Sequence, residues 1–104
     1  MSAEKITRMV VVANPQGLHA RPADMIVKTA MRFASKIELV KGTERVDGKS
    51  ILAILTLAAV AGTRLSIEAE GSDAAAALDA LADLFGRQFS EGASFPEGGR
   101  RVEE

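Results

Sequence analysis

The chain has 104 residues, of which 47% are hydrophobic, 13 are basic and 14 are acidic, so its formal net charge is -1. This length suits one domain with a modest core, and the balanced charge supplies no positive field for nucleic acid or anionic lipid. The absence of cysteine and the presence of a single histidine exclude a disulfide framework, a thiolate metal site and a histidine-rich metal site.

The first residues lack the apolar core of a signal peptide, and no apolar stretch reaches the roughly 18 residues that span a bilayer. We therefore expect a cytoplasmic chain that does not insert into a membrane. The composition predicts neither a cofactor nor a metal ion, although an ion site made of carboxylates alone stays open, and it disfavours nucleic acid as a partner. Binding should depend on a local site.

The first predicted strand covers residues 6–13. Its run at 9–12, Met-Val-Val-Val, is mostly β-branched and favours a strand covered on both faces. Residues 14–17, Asn-Pro-Gln-Gly, are turn formers that end the strand. They open a loop before the next element.

Apolar residues recur at helical spacing after this loop, which predicts a first helix from Ala20 to about residue 34. Residues 36–40 alternate between polar and apolar, and a polar turn at 41–44 leads into residues 45–46. This pattern predicts a hairpin of two short strands.

Ser50 is a candidate N-cap for a second helix over residues 51–61, closed by Gly62. Residues 64–70 alternate cleanly and predict a strand with one solvated face. Ser72 is the expected cap of a third helix that ends at Gly86, with Asp73 in its first turn. The apolar side of that helix contains Leu78, Leu81, Ala82 and Phe85.

The element order predicts an α+β fold, an open-faced sandwich in which a four-stranded antiparallel sheet carries three helices on one face. We expect one domain over residues 1–92. Residues 93–104 hold too few periodic apolar side chains to fold alone and are expected to form a flexible C-terminal tail. Phe89 and Phe95 are expected to make only loose contacts.

The residues with the clearest chemistry surround His19, the single histidine, which lies between the first strand and the first helix. Histidine offers a neutral, nucleophilic nitrogen near pH 7, and a helix start presents backbone N–H groups that favour an anion. Arg21 adds a charged fork suited to phosphate oxygens, and Pro22 fits the first helical turn. The pattern predicts a histidine that carries a phosphoryl group. By residue type alone, an incidental exposed histidine remains the alternative.

Residues 17–23, Gly-Leu-His-Ala-Arg-Pro-Ala, resemble the active-site signature of the HPr family, the histidine-containing phosphocarriers of the bacterial sugar phosphotransferase system. The resemblance continues through residues 48–52, 57–58 and 61–71, to about Gly92. It implies a βαββαβα fold and a carrier that is a relay intermediate and not an enzyme with its own turnover. The main departure is the C-terminal tail, since most relatives end soon after the last helix.

The resemblance also implies residue roles. His19 would be phosphorylated on Nδ1 by enzyme I at the expense of phosphoenolpyruvate and discharged to IIA components of sugar permeases. Arg21 would stabilise the phosphoryl group. Ser50 matches the serine that an ATP-dependent HPr kinase/phosphorylase modifies in many relatives. We expect a monomer, because partners must reach His19 in succession.

Two interpretations stay open at the second helix. Ser50 is either a regulatory site or an ordinary N-cap, and its side chain is compatible with both. Ile51 and Leu52 belong to an apolar run wider than one buried face needs, so we expect a deeply packed helix that also presents an apolar docking patch with Ala20.

Two other functions compete with the phosphocarrier. One is a nitrogen-branch or regulatory HPr-like protein, which uses the same fold but acts mainly by binding other partners. The other is a binding module that uses the open sheet face, for example for nucleic acid. The neutral charge and the absence of Trp and Tyr weaken the second alternative.

Overall fold

The computed structural model describes residues 5–90 and contains four strands and three helices in that range. In chain order they are β1 (Lys5–Val11), α1 (Ala20–Ala30), β2 (Lys36–Lys41), β3 (Glu44–Asp47), α2 (Ile51–Thr56), β4 (Arg64–Glu70) and α3 (Ala74–Gly86). The strands form one sheet in the order β1-β4-β2-β3, and every neighbouring pair is antiparallel. The predicted βαββαβα open-faced sandwich is confirmed.

The core lies between the helices and one face of the sheet. In β4 the alternating residues Leu65, Ile67 and Ala69 are fully buried, because successive strand side chains point to opposite faces. The apolar side of α3 meets them with Leu78 and Leu81, which are also buried. Sequence alternation therefore identified the buried face of β4 correctly.

The expectation that the first strand is covered on both faces is wrong. β1 is an edge strand, and its side chains Met9 and Val11 are 62% and 48% exposed. Their neighbours Val10 and Val12 are buried against the helices. An apolar run cannot distinguish a strand between two layers from a strand whose second face is open to water.

Charged side chains occupy much of that open face. Arg45 Nη1 lies 2.8 Å from Glu38 Oε1 and 2.5 Å from Glu68 Oε1, and Lys5 Nζ lies 3.2 Å from Glu68 Oε1. The hydrogen bond from Arg45 holds the pKa of Glu68 below its ordinary value. The side chains of Lys5 and Arg45 are 51% and 45% exposed, so the face is solvated as expected. Ion pairs with such exposed partners contribute little stability.

The first helix is shorter than predicted and ends at Ala30. The following backbone is pulled away from the helical path because Ala34 N–H donates to Asp73 Oδ2 at 2.8 Å and Ser35 N–H donates to Asp73 Oδ1 at 3.0 Å. The Ser35 hydroxyl also donates to this carboxylate. The hydrogen bonds from Ser35 and from Ala34 N–H hold the pKa of Asp73 below its ordinary value.

The N-cap of the third helix also differs from the prediction. Asp73 occupies that position, in place of Ser72, and its side chain makes no capping bond. Its carboxylate is directed to residues 34 and 35 instead. A tertiary contact therefore overrides the local capping preference of the carboxylate.

The second helix ends at Thr56, five residues before the predicted end. Leu57 is the C-cap, and Ala58 adopts a left-handed conformation with φ 49°, which stops the helix. Gly62 lies beyond this break, in the turn before β4, where its N–H donates to Val12 O at 2.6 Å. The segment between Thr56 and Gly62 is thus used to contact the end of the first strand.

Candidate functional site

His19 is the N-cap residue of α1, with extended backbone angles of φ -83° and ψ -166°. Its carbonyl accepts the N–H of Ala23 at 3.1 Å, while its imidazole makes no capping bond and its side chain is exposed. The ring is therefore accessible to a partner at the positive end of the helix dipole.

The loop before His19 is held against the segment that follows α2. Gly17 has φ +71°, and a Cβ at this position would lie 2.5 Å from the carbonyl oxygen of Ala59. Leu18 N–H donates to the same oxygen at 2.9 Å. Only glycine combines this backbone conformation with so close an approach, so the loop determines where the helix begins.

Asn14 closes the loop from inside. Its side chain is 8% exposed, and its Nδ2 donates to Gly17 O at 2.6 Å. Gly17 N–H donates back to Asn14 O at 3.0 Å. Sequence reasoning recognised Asn14 only as a turn former and missed this buried contact.

A surface pocket of about 320 Å³ adjoins the loop. It is lined by Asn14, Pro15, Gln16, His19, Arg21, Pro22, Gln88 and Phe89. The structure thus brings His19 and Arg21 into one pocket, as their spacing suggested. Among residues 5–90, the lining supplies three side-chain amides and one guanidinium but no carboxylate, which suits an anion.

The pocket wall at Gln88 and Phe89 was not predicted. Both residues are left-handed, with φ of 55° and 60°, and Phe89 N–H donates to Leu84 O at 2.9 Å. The ring of Phe89 packs edge-to-face on Phe85, with centroids 4.8 Å apart. The loose contact expected of Phe89 is wrong, since this side chain is 6% exposed. The four-residue spacing of Phe85 and Phe89 was the available signal; Phe95 lies outside the described residues.

The start of α2 lies outside this pocket. Ser50 Oγ accepts the N–H of Ala53 at 3.1 Å, which confirms its predicted role as an N-cap. Ile51 is half-buried against the core, whereas Leu52 is 77% exposed. Ala20, the first residue of α1, is also exposed. The expected mixture of packed and exposed apolar residues is present on α2, and their docking role stays a prediction.

The electrostatics of the first turn of α1 favour a bound anion. No acidic residue lies in that turn, so the helix N-terminus is not neutralised by its own sequence. Arg21 adds a permanent positive charge to the same side.

Within residues 5–90, no helix is long and apolar enough to cross a membrane.

The fold and this pocket define a small α+β protein with an accessible histidine at an anion-favouring helix start. A family model described as "PTS HPr component phosphorylation site" matches residues 6–87. The chain is 46% identical over 86 residues to a phosphocarrier protein HPr from Treponema pallidum, covering 83% of this chain and 98% of the relative. It is 39% identical over 87 residues to a phosphocarrier protein HPr from Neisseria meningitidis serogroup A, covering 84% and 98%.

Solved structures agree with the sequence relatives. The crystal structure of HPr-C-His from Thermoanaerobacter tengcongensis superimposes with a TM-score of 0.77 at 39% identity, covering 85% of this chain and 97% of that one. The chain belongs to the HPr family of phosphocarrier proteins of the phosphotransferase system.

Proposed function

We propose that this chain accepts a phosphoryl group from phosphorylated enzyme I on Nδ1 of His19 and passes it to IIA components of sugar transport. The observation that carries the proposal is the exposed imidazole of His19, which makes no capping bond and lies in the same pocket as Arg21. Family membership supports the same role. In this role the chain is a cytoplasmic relay intermediate and not an enzyme.

The transfer step requires little chemistry from the carrier. The Nδ1 lone pair forms a bond to phosphorus while the bond from phosphorus to the donor breaks, and the reverse exchange occurs at the acceptor. The transition state is loose, with charge spread over the peripheral oxygens, so alignment and electrostatics are the main contributions. Arg21 and the N–H groups at the start of α1 supply part of the positive field.

A carrier must also release its phosphoryl group. Binding of the phosphorylated state by Arg21 and the helix start must therefore stay weaker than the stabilisation of the transition state in the complex with a partner. The exposure of His19 is consistent with this requirement, because a partner can complete the environment of the phosphoryl group from the open side of the pocket.

Intact-mass spectrometry after incubation with phosphoenolpyruvate, Mg²⁺ and enzyme I tests the proposal. We expect acid-labile addition of one phosphoryl group to the native chain and none to His19→Ala. His19 is exposed, so this variant should remain folded. Failure of the native chain to accept the group from an enzyme I that phosphorylates another HPr would overturn the proposal.

We further propose that phosphorylation of Ser50 by an HPr kinase/phosphorylase regulates this relay. A phosphate would add about -1.5 to -2 charges at the start of α2, next to the exposed Leu52. Because Ser50 already caps the helix, the expected effect is on docking and not on the fold.

Variants at this position separate charge from capping. Ser50→Asp should slow phosphorylation of His19 by enzyme I, whereas Ser50→Asn keeps a good cap without the charge and should behave like the native chain. Equal rates for the native chain and both variants would count against regulation by charge at Ser50.

A further inference from the structure

The carboxamide of Asn14 is tied to the backbone that carries His19. Asn14 Nδ2 donates to Gly17 O at 2.6 Å, and the backbone N–H of His19 donates to the same oxygen at 3.0 Å. The Gly17 carbonyl therefore connects the buried side chain to the residue at the helix start. Any rotation of that carbonyl would change the direction in which His19 enters α1.

The second polar atom of the same side chain has no evident structural use. Asn14 Oδ1 is buried and has no hydrogen-bond partner among residues 5–90. A buried acceptor without a partner lowers stability, and an apolar side chain of similar shape would avoid that loss. Stability alone is therefore a poor explanation for an asparagine here.

The position of Asn14 supplies another explanation. This residue lines the pocket that contains His19 and Arg21. Phosphoryl transfer depends on alignment, and a displacement of about 1 Å at a reacting group can lower a rate by about 100-fold. A hydrogen bond that sets the loop geometry has its largest effect at such a site.

We propose that Asn14 is a positioning residue for phosphoryl transfer: its Nδ2–H holds the Gly17 carbonyl and thereby orients the imidazole of His19. This inference rests on the proposed function, because orientation of the ring matters for activity only if His19 accepts the phosphoryl group. Asn14 itself takes no part in bond formation.

Steady-state phosphorylation by enzyme I tests the role in Asn14→Ala. We expect kcat to fall about tenfold or more while KM for the chain stays within about twofold, because the exposed surface of α1 and α2 is unchanged. Ile67→Val is the matched control: it weakens the buried core under β4 and should leave kcat unaltered. Unchanged kcat in folded Asn14→Ala would overturn the inference.

Asn14→Asp should restore the hydrogen bond to Gly17 O only when the new carboxyl group is protonated. The ionised carboxylate cannot donate to Gly17 O, whereas the neutral carboxyl has one O–H donor. Burial raises the pKa of such a carboxyl, so the ratio of variant to native kcat should rise as the pH is lowered from about 8 to about 6. Among residues 5–90, His19 and Arg21 are the ionisable groups that line the same pocket, and both are present in the native chain and in the variant, so the ratio compares two proteins that share them. A ratio that does not change with pH would contradict the role of the donor.

A measurement independent of activity completes the test. The NMR signals of the His19 ring should shift in Asn14→Ala and stay in place in Ile67→Val. Unchanged ring signals in Asn14→Ala would overturn the inference even if the native chain accepts no phosphoryl group. The proposed function is contradicted only if the native chain accepts no phosphoryl group, whereas the role of Asn14 is contradicted by the ring signals of the variant. The two failures are therefore distinguishable.

Discussion

The two ends of the sheet differ in how completely their polar groups are hydrogen-bonded. At the clasp end, where β1 begins and β4 ends, the Asp73 carboxylate accepts two backbone N–H groups and the hydroxyl of Ser35. Gly71 packs so closely on Ser35 that a Cβ would lie 2.9 Å from its Cα. These tertiary contacts override the local capping preference of Asp73, and they pair the polar groups at this end of the sheet.

The site end, where β1 finishes and α1 begins, contains residues with unusual backbone angles and an unpaired polar atom. The three non-glycine residues with positive φ in the described part of the chain are Ala58, Gln88 and Phe89, and all lie next to the His19 loop or in the pocket wall. The unpartnered Oδ1 of Asn14 is also there. Strained backbone persists where surrounding contacts maintain it, and it is concentrated at functional sites. The difference between the ends therefore supports the proposed position of the site independently of its histidine.

Among these variants, Gly17→Ala should lower the free energy of unfolding most, by disrupting the site end. The new Cβ would meet the carbonyl oxygen of Ala59 and require a left-handed alanine. We expect a loss of about 2–4 kcal/mol in the free energy of unfolding, from backbone strain and overpacking together. Urea unfolding followed by circular dichroism measures it, since the chain has no Trp or Tyr for fluorescence. An unchanged midpoint would show that the loop can move away from Ala59 without loss.

The clasp end is tested by Asp73→Asn and by pH. The pKa of Asp73 is lower in the folded state, so its contribution to stability is present above the unfolded-state pKa of about 3.9 and is lost as the pH falls through the folded-state value. The native chain should lose this part of its stability in acid, and Asp73→Asn should be less stable at pH 7 and less sensitive to acid. Thermal unfolding at pH 7 and at about pH 3 compares them; parallel losses in both proteins would exclude Asp73 as the cause.

Gln88→Gly should remove backbone strain from the site end, because Gln88 has a positive φ. Glycine adopts positive φ without the steric penalty of other residues, although it loses more entropy on folding. We expect a gain of up to about 1 kcal/mol in the free energy of unfolding. Gln88→Ala also removes the glutamine side chain but keeps the steric penalty of positive φ. If it raised the free energy of unfolding as much as Gln88→Gly does, backbone strain would not be responsible.

Leu52→Ser should have the smallest effect on stability, because this side chain is 77% exposed. We expect a change within about 0.5 kcal/mol in the free energy of unfolding, together with a higher KM for phosphorylation by enzyme I. Leu52→Met preserves an apolar surface and is the control. The docking role of Leu52 would be contradicted by a KM that is the same in all three proteins.

The sequence predicted the elements whose local and tertiary preferences agree. The alternation of residues 64–70 identified β4 and its buried face, and the cap at Ser50 identified the start of α2. The positions of His19 and Arg21 at the start of α1 also followed from the pattern of residues 14–23. In each case neighbours along the chain supply the physical reason for the structure.

The errors arise from features of the packing that the local sequence pattern does not carry. The path of the chain after α1 depends on the carboxylate of Asp73, which lies 39 positions beyond Ala34. The end of α2 depends on contact with the His19 loop. The exposure of Met9 depends on which face of the sheet the helices cover. Phe89 is buried because the chain bends back onto Phe85 after the helix. Periodicity carries no information on these features, apart from the four-residue spacing of Phe85 and Phe89.

By itself, therefore, the sequence determined the α+β class, the order of the elements and a histidine beside an arginine at a helix start, because periodicity, capping and turn chemistry are local. The tertiary structure alone decided how that histidine is held. It packed Gly17 against Ala59 and brought Gln88 and Phe89 into the pocket that contains His19. These contacts form only when separate elements pack, since each requires groups that lie apart in sequence to meet at hydrogen-bonding or van der Waals distance.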